Sequence, residues 1–199
     1  MPKIIEVNIK KKINCSKAVA FWNYWDHEHL DVVHKGYKKA DIMYDRKNFL
    51  FRVDDIQIPL FSFLKTKASI FMVQHDENTL YTFSVTFGVI SKTTIKIKEI
   101  NKKSCNIHMN YKFYLEGWKR ILEPFLKIMI PKWNEQVWKE DLPVKLRRQK
   151  VIDLNFQDFV GLPDKINKRS YNGNYKLSLP IPRPKNSSRD KHPLKRKSS

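Results

Sequence analysis

Glycine is scarce in this chain, 5 in 199 residues, as are cysteine, with 2, and acidic residues, with 20 against 39 lysines and arginines. So little glycine leaves no Gly-rich phosphate loop. GxGxxG, Walker-type and GxSxG motifs are all absent, so nucleotide binding and nucleophile-elbow hydrolysis lack their structural basis. Cys15 and Cys105 stand far apart with no CxxC or CxH companion. That argues against a disulfide framework, zinc knuckle or iron–sulfur cluster and predicts a reducing, cytoplasmic setting. No apolar run approaches the roughly 18 residues of a membrane helix. The opening MPKIIEVNIKKK lacks the apolar stretch of a signal peptide.

What the chain has in excess is positive charge. Of the net +19, residues 161–199 carry +9, from eleven Lys/Arg and two Asp/Glu. In the same stretch hydrophobic periodicity fades and Pro180, Pro182, Pro184 and Pro193 accumulate among Ser, Asn and Lys. Ordering such a segment costs backbone entropy with little apolar area to offset it. The predicted organisation is one folded domain over 1–160 and a disordered basic Pro/Lys-rich tail over 161–199. Without a nucleic-acid reader motif, the tail's charge predicts weak binding to nucleic acid or an anionic membrane.

Hydrophobic residues at 41% and aromatics at 13% supply a core. Ile4 to Ile9, followed by Lys10, Lys11 and Lys12, reads as an edge strand with basic gatekeepers. Ser16 is a plausible N-cap for a helix carrying Ala18, Val19, Ala20, Phe21, Trp22, Tyr24 and Trp25, with Gly36 as its exit. From about 38 to 115 the pattern shifts to period two, predicting six or so antiparallel strands. Ile58–Phe63 and Ala68–Val73 read as separate strands, with Pro59 at a strand start or edge. After Gly117 the spacings of three and four among Trp118, Ile121, Leu122, Phe125, Met129 and Trp133 announce a long helix. Pro124, Pro131 and Pro143 are expected to kink or divide it, leaving a later segment from about 131 to 149.

Three of the six histidines fall in the segment Asp26-His27-Glu28-His29-Leu30-Asp31-Val32-Val33-His34. Neutral imidazoles and carboxylates suit Fe(II) and related divalent metals, and two histidines plus one acid leave coordination positions open. On a regular helix His29 and His34 lie about 140° apart and about 7.5 Å along the axis, so a shared ion requires a break, expected near Val32 and Val33. His27 and His29 point apart and form the worse pair. For the acid, Trp133, Val137, Asp141 and Val144 share one stripe, which places Asp141 on the face turned toward the sheet. A buried carboxylate there needs a metal or a cationic partner. Glu140 points elsewhere and reads as a surface residue.

The order strand, helix, antiparallel strands, closing helix is α+β, a curved sheet wrapped around a long C-terminal helix. Over roughly 3–150 it resembles the helix-grip fold of the START and Bet v 1-like superfamily. That resemblance implies an apolar cavity, for which Phe61, Phe63, Phe71, Phe83, Phe87, Tyr111 and Phe113 are candidate walls. The spacing Asp26-x2-His29-x4-His34 is similar to the motif in the catalytic domain of Rieske-type non-heme iron oxygenases. The resemblance implies His29 and His34 as iron ligands, Asp141 as the third, and Asp26 as the bridge to the electron-donating centre. The paired CxH and CxxH motifs of a Rieske centre do not both occur, so electrons are expected from a separate electron-transfer protein. Two functions remain open: an Fe(II) oxygenase acting on a hydrophobic or aromatic substrate, and a non-enzymatic carrier or sensor of a lipid or other apolar ligand.

Overall fold

The computed structural model describes residues 1–26, 29–46, 49–58 and 61–153. His27, Pro59, the domain boundary at 160 and the basic stretch 161–199 lie outside them. Strand β1 (Lys3–Ile13) leads into helix α1 (Lys17–Trp25) and the one-turn helix α2 (Leu30–Val33). Strands β2 (Tyr37–Arg46), β3 (Phe49–Ile58), β4 (Phe61–Gln74), β5 (Thr79–Thr86), β6 (Val89–Asn101) and β7 (Ser104–Leu115) follow as a meander. A 3-10 turn (Gly117–Leu122) then enters helix α3 (Glu123–Asp153). The seven antiparallel strands form one sheet in the order β1-β7-β6-β5-β4-β3-β2, so α1 and α2 carry the chain from one edge strand to the other.

Ser16 caps α1 as its sequence position predicts: its Oγ accepts the Val19 amide at 3.3 Å. Removing such a cap costs about 1 kcal/mol. Val19, Ala20, Phe21, Trp22 and Trp25 are buried, and most of them pack in a core with Ile95, Ile97, Ile107 and Met109 of the sheet. A second cluster joins Ile5, Val7, Phe113 and Leu115 to Leu126, Met129 and Ile130 of α3.

Two expectations are corrected. Ala68–Val73 is not a separate strand, because β4 runs without interruption from Phe61 to Gln74 and Ile58 ends β3. The prolines do not divide α3, which spans 31 residues with Pro131 and Pro143 inside it. Both lie on the exposed face, where the carbonyls that lose an amide donor are open to water. Pro124 occupies the first turn, where no donor is needed.

The β5–β6 hairpin closes on Phe87 and Gly88, both with positive φ, 51° and 65°. A two-residue hairpin of this kind favours Asn-Gly; holding a phenylalanine there costs about 1–2 kcal/mol.

Candidate metal centre between the short helix and the closing helix

Helix α2 ends at Val33, where the sequence predicts a break between His29 and His34, and a second break that the sequence does not predict lies earlier, between α1 and α2. The chain leaves α1 at Asp26, whose backbone is extended (φ −80°, ψ 103°), and α2 begins only at Leu30. His29 and His34 are the two caps of α2, and His34 is again extended (φ −100°, ψ 121°). One turn of helix flanked by non-helical residues turns both imidazoles the same way, with ring centroids 5.4 Å apart. Asp141, on the buried stripe of α3, meets them: its Oδ1 lies 3.4 Å from His29 Nε2 and 3.1 Å from His34 Nε2. One ligand atom from each of the three falls within 4.8 Å of the others. With bonds of about 2.1 Å at tetrahedral or facial angles, two ligands of one ion stand about 3.0–3.4 Å apart, so closure requires the widest pair to move together by about an ångström or more.

The remaining atoms of these side chains are held from behind. Asp141 Oδ2 accepts Asn23 Nδ2 at 2.8 Å and Lys145 Nζ at 2.9 Å. His34 Nδ1 donates to the Glu140 carboxylate at 2.9 Å, which orients the ring so that Nε2 faces Asp141. Asp26 sits 3.6 Å from His29 Nδ1 and also takes Arg148 Nη2. Arg148 stacks over Trp22 at 4.3 Å and binds Asn23 Oδ1 at 3.0 Å. Burial raises the Asp141 carboxyl, but His29, His34 and Lys145 outweigh it and hold the group well below the usual carboxylate range. Burial also opposes a proton on His29, yet Asp141 and Asp26 on its two sides raise its pKa.

The four residues singled out in the sequence, Asp26, His29, His34 and Asp141, therefore gather at one place. The cationic partner that a buried Asp141 needs is present in Lys145, which is itself 1% exposed. Atoms remain unused nonetheless: both ring nitrogens of His29 and Oδ1 of Asp141 are buried without a hydrogen-bond partner among the described residues. Buried polar groups are rarely left so. The donor set, two imidazoles and one carboxylate oxygen, fits a divalent transition metal.

Sequence reasoning missed Glu140, which is part-buried and holds His34, and it missed Asn23, Lys145 and Arg148. Lys145 and Arg148 continue the spacing Trp138, Asp141, Lys145, Arg148, a signal that was legible. Cys105 and His108 form a lone CxxH, but the cysteine is buried while His108 faces outward to Asn8.

The aromatic wall is also revised. Phe71, Phe83 and Phe87 are exposed; Phe71 and Phe83 pair directly across strands on the outer face. The side chains of Phe61 and Phe63 lie outside what is described. The inner face carries Tyr37, Ile56, Ile70, Tyr111 and Phe113, with Trp133 of α3 packed against Ile56 and Ile70. It also carries hydroxyls: Ser84 and Ser91 bond at 2.7 Å, Thr93 is buried, and Tyr111 donates to Asn134 at 2.9 Å. Tyr37 connects this wall to the centre, its ring 5.8 Å from His34 and 6.4 Å from Trp133.

No protein-family model matches the chain, and no curated protein matches it either. Solved structures do. The Zhui aromatase/cyclase from Streptomyces sp. R1128 superposes with a TM-score of 0.58 at 7% identity, covering 75% of this chain and 95% of that one. A START superfamily protein from Mycobacterium smegmatis gives 0.56 at 12% identity over 71% and 97%. A norcoclaurine synthase point mutant from Thalictrum flavum, in complex with a transition-state analogue, gives 0.56 at 14% identity over 74% and 98%. Identities this low show the fold alone, and that fold is the helix-grip fold of START and Bet v 1-like proteins, a curved seven-stranded sheet with a long C-terminal helix.

Proposed function

We propose that this helix-grip chain binds a hydrophobic or aromatic small molecule between sheet and α3, beside a mononuclear Fe(II) centre held by His29, His34 and Asp141, and acts on it oxidatively. The observation that carries the reading is the buried, unbonded set of His29 ring nitrogens and Asp141 Oδ1 facing His34 Nε2. Bound there, a ferrous ion with open positions would supply dioxygen activation. The chain's own groups hold and orient. Glu140 orients the His34 ring, Asp26 stands behind His29, and Asn23 with Lys145 leaves Asp141 a single free oxygen. Asp26 is also the route by which a separate electron-transfer protein would reach the centre. Tyr37, Ile56, Ile70 and Trp133 present the ring of a substrate with apolar surface, and the Ser84, Ser91 and Thr93 hydroxyls select one that also carries polar groups.

A second reading, a metal-free carrier, is favoured by the charge balance. Lys145 already pairs with Asp141 and Arg148 with Asp26, so a protonated His29 between the two carboxylates completes a network with no ion. Anaerobic purification with iron quantification separates the two. The first predicts iron that is lost in His29→Ala and in His29→Ala/His34→Ala, variants that leave the Asp141–Lys145 pair intact. The second predicts metal-free protein containing an extractable apolar molecule.

A further inference from the structure

We propose a second binding site, independent of the metal centre: the end of the molecule formed by the β5–β6 turn, the 3-10 turn and the start of β1 docks on an anionic lipid bilayer. Large apolar side chains are exposed there in unusual density. Trp118 is 68% exposed, Ile121 71%, Ile90 54%, Ile4 53% and Phe87 50%. The strand registers make the patch continuous, since Val85 pairs with Ile90, Ile90 with Tyr114 and Tyr114 with Ile4, one row across four strands of the outer face. Lys119 Nζ binds the Gly88 carbonyl and Arg120 binds the Met1 carbonyl, which fastens the 3-10 turn to the hairpin and to the N-terminal strand.

The charges around the patch identify the surface it fits. Lys119 and Arg120 are bonded to neutral carbonyls rather than carboxylates. Of the nearby acids, Glu123 is matched by Lys3 and Lys127 and Glu6 by Lys112, while the exposed Glu116 at the head of the 3-10 turn is outnumbered by Lys119, Arg120 and Lys92. The next row along the outer face, two residues or about 7 Å behind the apolar one, brings Lys92 opposite the Lys112–Glu6 pair, so Lys92 adds a net positive charge there. An apolar edge with a tryptophan, flanked by Lys119, Arg120 and Lys92, matches the acyl boundary and anionic headgroups of a bilayer. No helix is long and apolar enough to cross a membrane among the described residues, which is consistent with docking on the surface.

Phe87 supplies an independent observation. A bulky residue at positive φ is a genuine outlier, and here the strain serves to hold a phenyl ring at the extreme tip of the hairpin. Conformational strain of this kind collects at functional sites.

The test is flotation of the full chain with vesicles of phosphatidylcholine alone and with about a third phosphatidylserine, followed also by tryptophan emission. The expected result is flotation with the phosphatidylserine vesicles only, together with a shift of emission to shorter wavelength as Trp118 enters the interface. Trp118→Ala/Ile121→Ala lowers the affinity by about ten-fold or more with the thermal midpoint unchanged, because both positions are exposed. Phe87→Asn raises the thermal midpoint while weakening flotation, a pairing that a merely structural role does not produce. Failure of the full chain to float overturns the proposal. So does undiminished flotation of both variants, which would assign the binding to the charge of residues 161–199. Concentration-dependent dimerisation that shields Trp118 would make a second copy the occupant, and overturns it as well.

Discussion

The two halves of α3 present the same buried stripe to the protein in different chemistry. As far as Ile130 it is Leu126, Met129 and Ile130, packed on Ile5, Val7, Phe113 and Leu115. From Asn134 onward the stripe reads Asn134, Trp138, Asp141, Lys145 and Arg148, all but the tryptophan polar, and all buried. The first half gains stability from apolar area alone, at about 25 cal/mol per Å². The second half places four polar or ionic groups where desolvation is costly, and each is bearable only because another group meets it. A helix that needed only to close the sheet would continue the apolar stripe. The change in composition marks where α3 meets Asn23, Asp26, His29 and His34 of the α1–α2 segment, with Trp138 still in the core.

Breaking the polar half in two ways gives the largest predicted effect. Asp141→Ala strands Lys145 and costs about 3–5 kcal/mol, lowering the thermal midpoint by roughly 10 °C. Asp141→Leu/Lys145→Met removes both charges at once and restores most of that stability, while metal binding stays lost. Calorimetry and metal analysis on the pair separate the group's structural part from its ligand part. In the apolar half, Ile130→Ala costs about 3 kcal/mol from lost burial and the cavity left behind, with metal content per folded chain unchanged. Glu140→Gln sits lower on the scale. It shifts stability by less than about 1 kcal/mol, because one neutral bond replaces a charged one, but it weakens metal affinity by about 10–100-fold through the loosened His34 ring. The smallest effect belongs to Glu123→Gln at the exposed start of α3. Lys127 and Lys3 depress this carboxyl to about 2. Its contribution is therefore present above its ordinary value near 4.5 and lost as pH falls through about 2. Salt screening keeps it slight, and melting curves of the two proteins at pH 7 should nearly superimpose.

The same comparison explains how much was legible in the sequence. Period-two runs gave the strands and the 3.6 period gave α3, because each sheet or helix has one wet face. The spacing of Asp26, His29 and His34, with Asp141 at a buried phase, picked out four side chains that the fold does gather, and the helix ends at Val33 as expected; the additional break at residues 26–29 had no signal. Lys145 and Arg148 escaped because charged residues in a helix ordinarily face water, even though both continue the Asp141 phase. Glu140 escaped for a different reason. It lies one step off that phase and reaches His34 only because the backbone there is extended, a tertiary circumstance with no local signature. The aromatic strands were ambiguous in sign, not in period: β4 alternates Ala68, Ile70, Met72 with Ser69, Phe71, Val73, and both sets are apolar enough to be the inner one. The prolines of α3 misled because the rule against them assumes a carbonyl with no access to water.

The most direct test of the central claim is the iron content of the anaerobically purified full chain after Fe(II) addition and desalting, beside that of His29→Ala/His34→Ala. The account predicts about one ferrous ion per chain in the first protein and none in the second, with both folded. A parent chain that emerges without metal, or a double variant that retains as much as the parent, would contradict it.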